Sequence, residues 1–221
     1  MQPLLDLWYA LRGCPACRAR ATTRDGVCGT CHDRWLGAGA RRTDAKVARA
    51  KEPRSSDLVA LGAYRGDLGR LVRAAKYRPD RRLLALIGAA LGRRVLAAMG
   101  DPALVCVVVP VPGDRGRIRR RGTDHARLLA EAVAAALGPR ATLRPGLHRV
   151  RRTRPQAGLS DGERRTNLDG AIEWRAGGLV GATVVLVDDV LTTGATARSC
   201  RKALAAAGAT RVVVAVAARA R

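Results

Sequence analysis

The sequence predicts an α/β protein in which a mostly parallel central sheet is flanked by helices, with a small cysteine-rich module ahead of it. Three observations carry that prediction. Valine-rich apolar runs alternate along the chain with segments of helical periodicity. The run Val184-Val185-Leu186-Val187 is apolar at every position, as in a strand buried on both faces of a parallel sheet. Two Cys-x-x-Cys pairs precede all of this in a stretch with little apolar material.

The pairs are Cys14-Pro15-Ala16-Cys17 and Cys28-Gly29-Thr30-Cys31. So short a segment cannot bury enough surface to fold alone, and four thiolates at this spacing match a tetrahedral zinc site. A disulfide pair or a redox Cys-x-x-Cys is the alternative, but neither accounts for two matched knuckles in a chain without an export signal. With all four positions filled by cysteine there is no place for a catalytic water, so the expected zinc is structural. His32 is then surplus to the ligand set. The module is expected over residues 1–37, followed by a basic linker over 38–56 that includes Arg41, Arg42, Lys46, Arg49, Lys51 and Arg54.

The body is expected over residues 57–221. Leu58–Tyr64 reads as a strand, and Leu68, Leu71, Val72 and Ala75 then recur at helical spacing as far as Lys76. A second helix is expected from about Arg82 to Ala98, then a strand from Leu104 to Val109 ending in Pro110-Val111-Pro112-Gly113. Arg115, Arg117, Arg119, Arg120 and Arg121 form what reads as an arginine-dense loop. A helix from His125 to Leu137 stops at Gly138-Pro139. A strand near Leu147–Arg152, a long polar loop, the valine-rich strand, a helix over Ala197–Ala207 and a last strand over Arg211–Ala217 complete the pattern. Cys106 and Cys200, inside predicted elements and without Cys-x-x-Cys partners, read as small buried hydrophobes.

The formal charge of +23 favours polyanionic partners, although lysine occurs only at positions 46, 51, 76 and 202, and a compositional bias toward arginine accounts for the charge equally well. No apolar run approaches the roughly 20 residues needed to span a bilayer, so no membrane insertion is expected. The first ten residues lack the basic start of a secretory signal, and the expected location is the cytoplasm.

The chemistry concentrates after the valine run. Asp188 and Asp189 are expected at the C-terminal end of the strand, the edge where ligands bind in open α/β sheets. Two adjacent carboxylates there want hydroxyls or a metal. Val190 and Leu191 lead into Thr192-Thr193-Gly194-Ala195-Thr196, three hydroxyls and a glycine at a helix N-terminus, which suits a phosphate. Carboxylates for a diol beside a cradle for a phosphate describe a ribose 5-phosphate.

This segment resembles the phosphoribosyl diphosphate (PRPP) loop of the type I phosphoribosyltransferases at every position of the pattern. By that resemblance Asp188 and Asp189 hold the ribose hydroxyls and act in catalysis, residues 188–196 together bind PRPP, and magnesium accompanies it. Together with the two cysteine pairs, Val109-Pro110-Val111-Pro112, and Arg154-Pro155-Gln156, the whole chain from Cys14 onward resembles the ComF family, also known as GntX-like, whose members are associated with DNA uptake in competent bacteria. The resemblance implies a type I phosphoribosyltransferase fold and PRPP as ligand, with single-stranded DNA and a DNA-uptake helicase as candidate partners. After Arg121-Gly122 the family usually continues Phe-Asn-Gln, where this chain has Thr123-Asp124-His125.

Lys76 and Arg121 are the candidates for the pyrophosphate, with Arg115 and Arg119 behind them, because cations and arginine forks match phosphate oxygens. Arg154, Gln156 and Asn167 lie in the long polar loop, of a kind that often closes over active sites. His125 and His148 are weaker acid–base candidates. The second reading is a binding module without turnover, whose basic clusters engage DNA phosphates. With three tryptophans, three tyrosines and no phenylalanine, the chain has few platforms on which bases can stack.

Overall fold

The computed structural model describes residues 13–20, 26–37, 57–77, 81–101, 103–150 and 170–220. Its centre is a five-stranded sheet built from β1 (Leu58–Ala60), β2 (Cys106–Pro110), β3 (Ala141–Leu143), β6 (Thr183–Leu191) and β7 (Arg211–Arg219), in the spatial order β1-β7-β6-β2-β3. Every pairing in it is parallel, with Val108 opposite Val185 and Val185 opposite Val213 along the central strands. β4 (Leu147–Arg149) and β5 (Ile172–Trp174) form a separate antiparallel pair. Among the described residues the longer helices are α1 (Gly66–Tyr77), α2 (Arg81–Met99), α3 (Arg115–Arg121), α4 (His125–Leu137) and α5 (Ala195–Ala206).

The period of two in a strand distributes the valine run of β6 between two cores. Val185 and Val187 join Val108, Val213 and Ala215 in a core covered by α1, α2 and α4. Val184 and Leu186 join Val109, Val212, Val214 and Val216 in a core covered by Cys200 and Leu204 of α5 and by Leu147 and Ile172 of the two-stranded sheet. Each fully buried leucine or isoleucine here contributes about 1.5–3 kcal/mol. Both lone cysteines are buried as expected, Cys106 and Cys200 lying in different cores.

α2 and α4 cross closely because α2 presents glycines at the contact. A β-carbon on Gly88 would lie 2.5 Å from Cβ of Ala132, and one on Gly92 would lie 2.6 Å from Cβ of Ala136. α4 starts at Asp124, whose carboxylate accepts the Arg127 N–H at 3.2 Å, and stops at Gly138 with φ 68°. The Asp124 position, where the chain departs from the usual family residues, is thus an N-cap, a role that aspartate and asparagine fill equally well.

The cysteine segment docks on the same core as α1 and α2. Cys14, Val27, Cys28, Cys31, Trp35 and Leu36 are all buried in it. After Cys31 the chain makes a π-helical turn, His32–Leu36, that drives Trp35 and Leu36 inward.

Five expectations shift, the first being that the strand expected over Leu58–Tyr64 covers only Leu58–Ala60, with Ala63 adding an isolated bridge to Arg219. The arginine-dense stretch at 115–121 is a helix, started after Asp114, whose carbonyl accepts the Ile118 N–H at 2.9 Å. The strand expected at Leu147–Arg152 covers only Leu147–Arg149 within the described residues and belongs to the antiparallel pair. β6 continues past the aspartates, with Asp188 opposite Val216 and Leu191 opposite Arg219. β3 and β5, three residues each, were not anticipated. The expected linker at 38–56 lies outside the described residues, and among those described no helix is long and apolar enough to cross a membrane.

Candidate functional site

The sheet order creates a crevice at one place. From β2 the chain moves to β3 at one edge, whereas from β6 it moves to β7 toward the other. β2 and β6 are neighbours, so the gap beyond their C-terminal ends is the topological switch point, where parallel sheets bind ligands. Asp188 and Asp189 lie near that end of β6, and Val111-Pro112-Gly113 leave that end of β2, tied across by the Val111 N–H donating to the Val187 carbonyl at 2.9 Å.

Since the ladder runs on to Leu191, strand alternation gives the two carboxylates different surroundings. Asp189 shares the parity of Val185 and Val187, and Nζ of Lys76, at the end of α1, sits 2.6 Å from its Oδ2. Asp188 shares the parity of Val184 and Leu186, on the side of α5. Its carboxylate accepts the Asp189 N–H at 2.8 Å. Burial, and next the charge of Asp189, push the Asp188 carboxyl up to about 7, against the opposing pull of that N–H and of the Lys76 and Arg149 charges. Cys200 lies near enough for the Asp188 charge to reinforce the upward push that burial gives its thiol, so it is an inert wall residue.

Beyond Leu191 the backbone turns through Thr192 and Thr193 to Gly194, which has φ 74° and ψ 0° and stands at the N-cap of α5. A side chain is strained in that conformation, which is why glycine occupies it. As a glycine, Gly194 brings no side chain to cap this helix. Thr192 is exposed, Thr193 and Thr196 are half-buried, and Arg198 clamps the loop by donating to the Thr193 carbonyl at 3.1 Å. Val190 and Leu191 are half-buried in the strand, while Gly194 and Ala195 are buried.

The two-stranded sheet stands beside this loop. Arg149 of β4 donates from Nε to the Pro112 carbonyl at 3.0 Å, joining β4 to the end of β2. Ala171, just before β5, is fully buried against Ala195. The Val150 N–H bonds the Ala171 carbonyl at 3.0 Å, so the described residues on either side of the segment 151–169 meet next to the threonine turn. Arg154, Gln156 and Asn167 lie in that segment, outside the described residues.

Of the pyrophosphate candidates, Lys76 is brought to the aspartates across the sheet, and Arg121 ends α3, its side chain outside what is described. Arg119 is exposed on the same helix, and Arg115 begins it. His125 is buried in the first turn of α4, and His148 is half-buried in β4. In the sequence Arg149 is one of several arginines between positions 149 and 154, with nothing nearby to point to Pro112 or Asp188.

The four cysteines form a second centre. Their Sγ atoms all lie within 4.8 Å of one another, with Cys17 and Cys28 3.4 Å apart. Tetrahedral zinc–thiolate bonds of about 2.3 Å place sulfurs about 3.8 Å apart, so the set fits zinc. Burial, and next the neighbouring sulfurs, push the Cys31 thiol far up, so four thiolates here call for a bound cation.

No family model matches the chain. The DNA utilization protein YhgH of Salmonella typhi is 30% identical to it over 203 residues, covering 91% of this chain and 87% of that protein. The protein of the same name from Salmonella typhimurium is 30% identical over 205 residues, with the same shares covered. Competence protein F of Haemophilus influenzae is 32% identical over 170 residues, 74% of this chain and 73% of that one. With the cysteine pairs, the Val-Pro-Val-Pro turn and the Asp-Asp-threonine loop in family order, these relatives establish that the chain belongs to the ComF family.

Proposed function

We propose that this chain has a type I phosphoribosyltransferase-like fold and binds PRPP with magnesium at the crevice between β2 and β6. The observation that carries the reading is the assembly, at the sheet's switch point, of two carboxylates, a threonine-rich helix N-terminus and the ammonium of Lys76. On this reading residues 1–37 are a zinc module, 38–56 a linker and 57–221 the ligand-binding domain.

The roles follow from the chemistry of the groups. The 5-phosphate lies against Thr192–Thr196, where backbone N–H groups and the positive end of α5 meet hydroxyl donors. Asp188, ionised, accepts from a ribose hydroxyl, and Asp189 does so once Lys76 turns to the pyrophosphate. Magnesium takes oxygen ligands, and Asp188 and Asp189 can hold it through waters or directly while it neutralises diphosphate charge. Departure of pyrophosphate from C1 leaves positive charge on the ribose, so the site's task is to neutralise the leaving group and keep water away. Lys76 and Arg121 serve the first requirement. Arg154, Gln156 and Asn167, in the polar segment whose flanking residues Val150 and Ala171 lie beside the threonine turn, serve the second.

Calorimetry with PRPP and magnesium tests this on the wild type and on the Asp188→Asn/Asp189→Asn variant. The wild type binds, and the double variant binds about a hundredfold more weakly, the loss of two charge-assisted hydrogen bonds. An absence of binding heat in the wild type overturns the proposal.

A second reading, DNA binding in the service of uptake, draws on the names of the relatives and on the exposed Arg119 and Arg120 of α3. Single-stranded DNA held through its phosphates, beside a DNA-uptake helicase, fits that reading. It requires affinity that falls as salt rises.

A further inference from the structure

One helix joins the cysteine centre to the carboxylate pair. Ala16, between Cys14 and Cys17, offers its carbonyl to Nε of Arg70 on α1, and the same guanidinium reaches Asp67 through its second donor arm. Less than two turns further along α1, Lys76 extends its ammonium to Asp189. The other end of the module grips the same layer. Trp35 stacks against Gly62, where a β-carbon would lie 3.0 Å from both the indole and Leu68 of α1, and the Leu36 carbonyl accepts from Arg93 of α2.

The module has few large apolar residues of its own, and a metal held by Cys14 and Cys17 would close the knuckle that carries the Ala16 carbonyl and so fix that carbonyl's direction. Arg70 converts that direction into a constraint on α1. Its planar fork serves two acceptors at once, one on the cysteine knuckle and one on its own helix, which a lysine cannot do in the same geometry.

We propose that the metal-bound cysteine module sets the position of Lys76 through Arg70 and α1, so that zinc occupancy governs affinity for the diphosphate ligand. Arg70 is a positioning residue in this scheme and touches no ligand. The affinity half rests on the PRPP reading above, whereas the mechanical half, control of α1, does not.

The experiment compares wild type, Arg70→Ala, Arg70→Lys and, as a charge-matched control, Arg127→Ala at the exposed pair with Glu131. Zinc content, thermal midpoint, amide hydrogen exchange across residues 66–77 and PRPP–magnesium affinity are measured on each. Arg70→Ala keeps one zinc and a near-normal midpoint, loses exchange protection in the second half of α1, and binds PRPP about threefold to thirtyfold more weakly. Arg70→Lys restores part of both losses, and Arg127→Ala shows neither. Removing zinc from wild type with a chelator under reducing conditions reproduces the exchange pattern. If Arg70→Ala behaves as Arg127→Ala does, or α1 keeps its protection when zinc is removed, the proposal is overturned. Should Arg70→Ala not fold, the chelator arm decides alone. Should wild type bind no PRPP, the PRPP reading fails, and exchange in α1 still decides whether the module controls the helix.

Discussion

Among the described residues, three helices and the cysteine module press against Val108, Val185, Val187 and Val213 on one face of the central sheet, whereas a single helix and a two-stranded ribbon cover Val109, Val184, Leu186 and Val214 on the other. The thick face is a scaffold. The thin face carries the threonine turn, Arg149 and the residues flanking the segment 151–169, and on the proposed reading the ligand is met from both sides, by the threonine turn on this face and by Lys76 from the other. Asp188 and Asp189 divide between these two worlds although they are neighbours in sequence, and their environments differ accordingly. Asp189 is neutralised by a lysine from the thick side, while Asp188 is pushed up to about 7 on the thin one.

The largest expected effect tests the thickness itself. Leu91→Ala, in the centre of α2, costs about 3–5 kcal/mol in urea denaturation, since three packed helices cannot collapse into the cavity, whereas Leu204→Ala on α5 costs about 2–3 kcal/mol. Equal losses at the two positions would remove the distinction between the faces.

Next in size is a contrast of sign between the aspartates. Between the ordinary carboxylate range and about pH 7, folded Asp188 retains a proton that the unfolded chain has released, so rising pH withdraws stability through this group. Asp188→Asn therefore gains about 1–3 kcal/mol over wild type at pH 8, and the gain disappears below about pH 4. Asp189→Asn leaves Lys76 without its partner and loses about 1 kcal/mol at neutral pH. Denaturation curves across this pH range in which both variants shift the same way would contradict the division.

The smallest effect concerns the N-cap of α4 on the thick face. Asp124→Ala loses about 1 kcal/mol, and Asp124→Asn stays within a few tenths of wild type. A loss in the asparagine variant as large as in the alanine one would show that Asp124 does more than cap.

Periodicity and punctuation made much of this legible in advance. α4 spans His125–Leu137 as its apolar spacing and Gly138 dictate, and the valine run is the central strand. α3 was hidden because Ile118 is the one large apolar residue in Arg115–Arg121, too few to reveal a period. β3 and β5 are too short for alternation to register, and their pairing is decided by what they pack beside. At the site, the carboxylates and threonines announced themselves by local pattern. What brings Lys76 to Asp189, or Arg149 to Pro112, is sheet order, which no local pattern encodes.

The position of β7 has a consequence for biogenesis. β7 lies between β1 and β6 in space, yet it follows every other strand of the sheet in the chain, pairing Leu58 with Val214. Until Arg211–Arg219 has left the ribosome, β1 has no neighbour and β6 exposes an open valine-rich edge. The sheet is therefore completed only by the last of its strands to be synthesised, after the aspartates and the threonine turn have already emerged.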